Sequence, residues 1–554
     1  MKQRIKEIIN NREKLCFLII AFGIVLRLGL FVVNLFYNSC HCDEAMLILN
    51  ARSIANNGTD ITGEYLPAYF DTWVYGGQSP FATYSSALFI KLLGDTLFAA
   101  RLPLLLFSIV GLIIFYKTSC EIFGRATDYT VASTLLCTLS PWHLMDSFLM
   151  LDCNYLPHLM IIGTYLLVKG VKAEKKLIYF TAAMLFFGMG FYCYILSAMI
   201  IPLVLLIVYL VLIIEKRVRL NHAIYSAAVL TVVAVPYIVF LLTLYNVIEP
   251  LRFLGFSNAF PAYNFHQLKA IQTDLPAPVI IISEIIASAA TLTLPDIKLF
   301  SVPIAPIYLY TNFAGGICTL TGTVFLISKA IKKKKHNEIL LATLLAGLVS
   351  GFAVSVLTKS SLTDVFYRYN AVHYYLLFAG GYGFTKITRG VKINDKLRIP
   401  KFSFKKAAAV FGIISIILNC VNYAVNQTTV NNDTIYGKTA LQAFDFIEKY
   451  NGGDEILFIN VYNRDTVFCR YYFTDKEYIP YDDDFNLRFY FRDSIDEPVS
   501  LTKDGSVKYL GVNKKTKLNC NCAVIYAEFI DYLDIDEKEF NVTRFGPRIV
   551  ITRK

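Results

Sequence analysis

The chain has 554 residues, of which 55% are hydrophobic and 17% charged, with a net charge of +11. Soluble domains carry about a quarter charged residues, so this composition excludes an ordinary soluble globular protein. The excess of positive charge does not point to nucleic acid, because Lys and Arg fall in short clusters between long apolar runs, a pattern of membrane topology and lipid headgroup contact. The alternation expected of an outer-membrane barrel is absent from the sequence.

Only helices or closed barrels can pair every backbone polar group inside a bilayer, so the apolar runs read as spanning helices. In chain order they fall at 15–37, 99–117, 127–142, 153–169, 177–195, 197–214, 223–245, 303–328, 338–357, 371–387 and 406–424, about eleven in all. The basic clusters Met1–Lys14, Lys117–Arg125, Lys169–Lys176, Lys216–Arg219, Lys329–Lys335 and Lys386–Lys406 then share one side, the cytoplasm. The first run lacks a small-residue cleavage site and reads as a permanent anchor with a cytoplasmic N-terminus.

The stretch 177–214 is too long for one helix and needs a tight outward turn near Tyr194–Ser197. Facing outward are 38–98, whose end Pro80–Leu93 reads as a helix on the membrane surface, the link 140–154, the segment 246–302 with a second apolar piece at Pro276–Leu294, and the link 359–370. From Asn426 the chain turns acidic, with Asp482, Asp483 and Asp484 together. Thr439–Tyr450 reads as an amphipathic helix, and Ile456–Val461, Val467–Phe473 and Ala523–Phe529 as strands. The expected architecture is therefore a polytopic α-helical membrane domain, residues 1–425, followed by a small extracytoplasmic α/β domain, residues 426–554. Cysteines inside apolar runs read as small buried residues. Cys469, Cys520 and Cys522 offer a disulfide in the last domain, a pairing the spacing leaves open.

Polar residues mark where chemistry is expected. Arg27 stands in mid-span, where a charge is costly; it is either an ion pair between helices or part of a functional site. Directly after the first span comes Asn38-Ser-Cys-His-Cys-Asp-Glu-Ala, which sets Asp43 and Glu44 at the outer surface. They are either solvated loop acids or carboxylates meeting a lipid-borne substrate. Cys40, His41, Cys42 and Asp43 also offer metal ligands, although four adjacent residues do not easily wrap one ion. The link 140–154 adds Trp142, His143, Asp146 and Asp152, the last equally readable as a first-turn acid favoured by the helix dipole. Arg368 and His373, at the outer mouth of the tenth span, are placed to grip a phosphate or to snorkel beside tyrosines.

The order of these features resembles a known family. It comprises the acidic pair after the first span, Gln78-Ser-Pro-Phe-Ala-Thr-Tyr84 opening a surface helix, Phe98-Ala-Ala-Arg-Leu-Pro, Phe123-Gly-Arg, Ser140-Pro-Trp-His and the Asp152 helix. Together they resemble the membrane-embedded GT-C glycosyltransferases, in particular relatives of the protein O-mannosyltransferases and of the aminoarabinose transferase that modifies lipid A. The likeness covers residues 15–200, extends over 300–425 by hydropathy alone, and leaves the C-terminal domain uncovered. It implies a sugar donor on polyprenyl phosphate, a glycan, lipid or protein acceptor outside the membrane, Asp43 as catalytic carboxylate, Asp152 (or Asp146) as second acid and no nucleotide. It gives no secure phosphate contact, for which Arg368 is the candidate. The Cys-His-Cys run departs from the family pattern and leaves a divalent metal open. Rival readings are a flippase or transporter for lipid-linked saccharides, for which Arg27 is a lone midplane charge without repeats, and a polysaccharide polymerase, which Arg252, Lys269 and Arg368 keep in view.

Overall fold

The computed structural model describes residues 11–36, 40–61, 63–70, 77–244, 313–332, 338–358, 370–392, 398–428, 438–450, 521–527 and 533–554, with short strand pieces between. The expected surface piece Pro276–Leu294, the strand 467–473, Lys269, Arg368, Cys469 and Cys520 lie outside the described residues.

Helices dominate. α1 (Arg12–Phe36) is followed by α2 (Cys42–Asn57), α3 (Pro80–Leu93), α4 (Leu97–Phe123), α5 (Asp128–Thr138) and the short α6 (Pro141–Met145). A 3₁₀ turn, Asp152–Tyr155, leads into α7 (Leu156–Lys172), then α8 (Lys176–Met189), α9 (Ser197–Ile214) and α10 (Leu220–Leu244). Beyond these come α11 (Phe313–Ile331), α12 (Glu338–Thr358), α13 (Asn370–Thr388), α14 (Phe404–Thr428) and α15 (Lys438–Tyr450). Among the described residues, α1, α4, α9 and α10 are long and apolar enough to cross a membrane. Their outward faces carry bare Leu, Ile, Val and Phe, for example Val25, Leu106, Leu206 and Val232, as lipid contact requires.

The surface helix runs over Pro80–Leu93 as expected. Pro80 stands at its first position, where the missing N–H is no loss, and Gly94 closes it at φ 91°. The expected break in 177–214 also appears, as a 3₁₀ turn Gly190–Tyr192 and a bend before Ser197. Two expectations need correction. The segment after the first span begins with a helix, α2, rather than open polar chain, and most of α2 is buried. The run 127–142 ends as a regular helix at Thr138, and the link that follows, expected on the outer side, is buried from Ser140 through Leu151.

α13 packs against α5, α11 and α12. Where it crosses α11 the backbones touch: a Cβ on Gly383 would strike the Cys318 carbonyl, and one on Gly322 the Ala379 carbonyl. Small residues at such a crossing allow two membrane helices to approach closely. At the C-terminal end of the chain, β1 (Ile456–Ile459), β2 (Leu487–Phe489), β3 (Cys522–Tyr526), β4 (Phe540–Phe545) and β5 (Arg548–Arg553) form one sheet in the order β4-β5-β3-β1-β2. β1 runs parallel to both its neighbours and the other pairings are antiparallel. α15 packs on β4 and β5, which agrees with the helix and strands expected there.

Candidate active site

The site is assembled at the start of α2. His41 is the N-cap: its Nδ1 accepts the Asp43 N–H at 3.1 Å, and the Glu44 carboxylate accepts the His41 N–H at 3.2 Å. This is a capping box, with histidine doing the work usually given to Ser or Thr. Glu44 is fully buried and pairs two-pronged with Arg101 of α4, at 2.6 and 2.7 Å, while also accepting the Cys40 thiol. Arg101 further donates to the Asn34 carbonyl at the end of α1, so one guanidinium ties α1, α2 and α4 together. Glu44 is thus turned into the protein rather than toward a substrate.

Asp43 differs. Its N–H is held by His41 and its carbonyl accepts Gln78 Nε2 at 2.6 Å, yet its side chain is 39% exposed. Asp152 approaches from the 3₁₀ turn before α7. Its carboxylate accepts the Ser79 N–H at 3.1 Å and the Cys153 N–H at 2.7 Å. Burial lifts the Asp152 pKa to about 7; the two N–H donors oppose the rise, and the nearby Asp43 charge adds to it. Burial also lifts the Tyr69 phenol, on which the Asp152 charge acts in the same direction. Tyr84, by contrast, is occupied structurally, donating to the Pro67 carbonyl at 2.9 Å and packing edge-on against Phe70.

The turn bearing Asp152 hangs from α13. Asn370 Nδ2 donates to the Cys153 carbonyl at 3.1 Å and to Asn154 Oδ1 at 3.0 Å, and Asn154 in turn holds the Leu149 carbonyl. Arg368 is two residues upstream, outside the described residues.

The remaining expected residues form a second, fully buried group. Arg27 Nε donates to His143 Nδ1 at 3.2 Å, and its Nη1 to the Gly23 carbonyl at 2.9 Å. With Nδ1 accepting, His143 Nε2 carries the proton and donates to the Tyr374 hydroxyl, which donates to His158 Nδ1 at 3.1 Å. His158 Nε2 stands 3.8 Å from Asp146, whose carboxyl is lifted well above its ordinary value by burial. Trp142 and His373 pack edge to face, rings 4.8 Å apart, in the same cluster. Trp142, His143, Asp146 and His373 are therefore buried together with Arg27 and not arrayed on an outer surface.

Sequence reasoning brought Asp43, Gln78 and Asp152 to one place. It missed Tyr69, Asn370, His158 and Tyr374, and it held Ser79 only as a letter of the motif that opens the surface helix. It used Arg101 only as a motif letter, because its partner lies 57 positions away. For a metal, His41, Cys42 and Asp43 present ligand atoms within 4.8 Å of one another.

The family model of dolichyl-phosphate-mannose-protein mannosyltransferases matches residues 77–240. That stretch contains Gln78, Tyr84, Trp142, His143, Asp146 and Asp152 and stops short of Asp43. Among solved structures, ArnT from Cupriavidus metallidurans bound to undecaprenyl phosphate superposes with a TM-score of 0.55 at 14% identity, over 97% of each chain. The apo state of the same protein gives 0.52 at 14% identity, again over 97% of each. No curated protein sequence gives a significant match. The likeness runs the length of both chains and shows that this chain has the fold of ArnT.

Proposed function

We propose a membrane glycosyltransferase of the GT-C kind that moves a sugar from a polyprenyl-phosphate donor to an envelope or protein acceptor outside the membrane. One observation carries the reading. Asp43 is the exposed carboxylate of a cluster whose main chain is fixed at both its N–H and its carbonyl, with a second carboxyl, Asp152, close enough to feel its charge. Its support from comparison is the fold shared with ArnT and the mannosyltransferase family match over Gln78 and Asp152.

In the proposed reaction the donor lies in the bilayer with its head at the outer surface. Asp43 removes the proton of an acceptor hydroxyl as that oxygen bonds to the anomeric carbon. The bond from that carbon to the lipid-phosphate oxygen breaks, and polyprenyl phosphate leaves with the electron pair. Arg368 is proposed to stabilise the departing phosphate. Tyr69, Gln78 and Ser79 border the carboxylate pair, and Glu44 serves as a positioning residue through Arg101 and the His41 cap. The N-terminus is assigned to the cytoplasm, and residues 426–554 and the site to the opposite side. Residues 1–425 form the catalytic domain.

The test is transfer of radiolabelled sugar from polyprenyl-phosphate donors by purified protein and cell-envelope acceptor. Transfer or slow donor hydrolysis by the wild type, lost in Asp43→Asn with the melting curve unchanged, is the expected result. Full activity of Asp43→Asn sinks the assignment of the base, and no turnover of bound donor by the wild type sinks the transferase.

A further inference from the structure

Two basic clusters, whose Lys176 and Arg217 are 41 residues apart in sequence, meet where α7 runs into α8 and α9 into α10. Lys175 and Lys176 lead into α8, and Lys216, Arg217 and Arg219 link α9 to α10. Together with Glu174, Leu177, Ile178, Val218 and His222 they line a groove of about 650 Å³. Five cations stand there against one carboxylate.

The groove is held in shape. α9 ends in a Schellman turn, in which the Arg217 N–H reaches the Leu212 carbonyl at 2.8 Å and the Lys216 N–H that of Ile213 at 2.9 Å. The position where glycine is usual is Lys216, at φ 57°. Lys176 Nζ donates to the Arg217 carbonyl at 3.3 Å, closing the two clusters on each other, and Val218 is buried beneath them. A lysine kept in a left-handed backbone conformation keeps its charge at this turn.

What borders the groove identifies its occupant. Leu177 and Ile178 at the start of α8, Leu220 and Ile224 at the start of α10, and Ile214 at the end of α9 are all bare. A cationic cup that opens onto exposed aliphatic helix faces suits a molecule with an anionic phosphate head and acyl tails. A soluble phosphate has no use for the aliphatic rim.

We infer that this groove is a binding site for an anionic phospholipid, with the phosphate seated among Lys175, Lys216 and Arg217 and the acyl chains along α8 and α10. The site is separate from the proposed catalysis and does not depend on it.

The experiment uses the full-length protein in a neutral detergent, with binding of an acyl-labelled fluorescent phosphatidylglycerol read by anisotropy. Lys216→Gly/Arg217→Gln removes two cations and relaxes the φ 57° position. Lys401→Ala/Lys406→Ala, from another exposed basic cluster, is the charge-matched comparator. The groove variant is expected to bind at least about tenfold more weakly, the comparator within about twofold of wild type, and phosphatidylcholine to compete poorly. Equal losses in groove variant and comparator, or no loss in either, overturn the site. Displacement by pyrophosphate as effective as by unlabelled phosphatidylglycerol overturns the lipid assignment in favour of a soluble anion. Lys175→Ala, which lies outside the Schellman turn, gives the same reading if the double variant does not fold.

Discussion

Replacing Glu44 by Gln tests how the acidic pair is divided. The Glu44–Arg101 pair is two-pronged, at 2.6 and 2.7 Å, and both side chains are buried, Arg101 at 3% exposure and Glu44 at none. Removing one charge of such a pair leaves the other stranded, at a cost of about 3–5 kcal/mol. Glutamine can still accept the His41 N–H, so the helix cap survives and the loss isolates the ion pair. Arg101→Met is expected to cost a similar amount, because it strands Glu44 and releases the Asn34 carbonyl. In Glu44→Gln/Arg101→Met neither partner of the pair is charged, and the loss should fall well short of the sum, with a coupling energy of about 2 kcal/mol or more. Reversible denaturant titration of the four proteins in detergent measures the cycle. Additive losses, or single-variant losses below about 1 kcal/mol, would refute the account of Glu44 as the anchor of α2.

Two further outcomes follow from the geometry. The Asp152 pKa is raised from 3.8 to about 7 in the folded protein, so its protonated form is favoured by folding. The stability this gives is complete below the unfolded value and is lost as pH rises through 7. Three units correspond to at most about 4 kcal/mol, lessened because Asp152 is partly exposed. The melting temperature of wild type should therefore fall more between pH 5 and 8 than that of Asp152→Asn, and parallel curves would exclude the shift. Gly383→Ala places a methyl against the Cys318 carbonyl and should cost about 1–3 kcal/mol by forcing α11 off α13; an unchanged melting curve would show that the two backbones do not meet there.

Much of this arrangement can be read from the sequence where the signal is local. The surface helix Pro80–Leu93 announces itself by Ser-Pro at one end and Gly94 at the other, and the α8–α9 break by basic residues flanking an apolar run too long for one helix. α2 escapes because its residues are buried nearly all round, which erases helical periodicity, and because a histidine stands where a capping motif is sought. The division between Asp43 and Glu44 is illegible for a different reason. Adjacent carboxylates look equivalent until Arg101, 57 positions later, takes one of them. The same holds for Asp146, which looks like an outer-link acid but is buried beside His158.

The buried chain from Arg27 to Asp146 also bears on how the protein is made. Arg27 lies in α1, yet His143 lies 116 residues later, and Tyr374 another 231 beyond that. At roughly 5–20 residues per second, the ribosome takes about 6–23 s to supply the imidazole, and longer still to supply the phenol. During that interval the nascent first span carries a guanidinium satisfied by little more than its own Gly23 carbonyl. Until the imidazole arrives, the rest of that hydrogen-bonding capacity falls to water or lipid headgroups, which the arginine reaches by snorkelling.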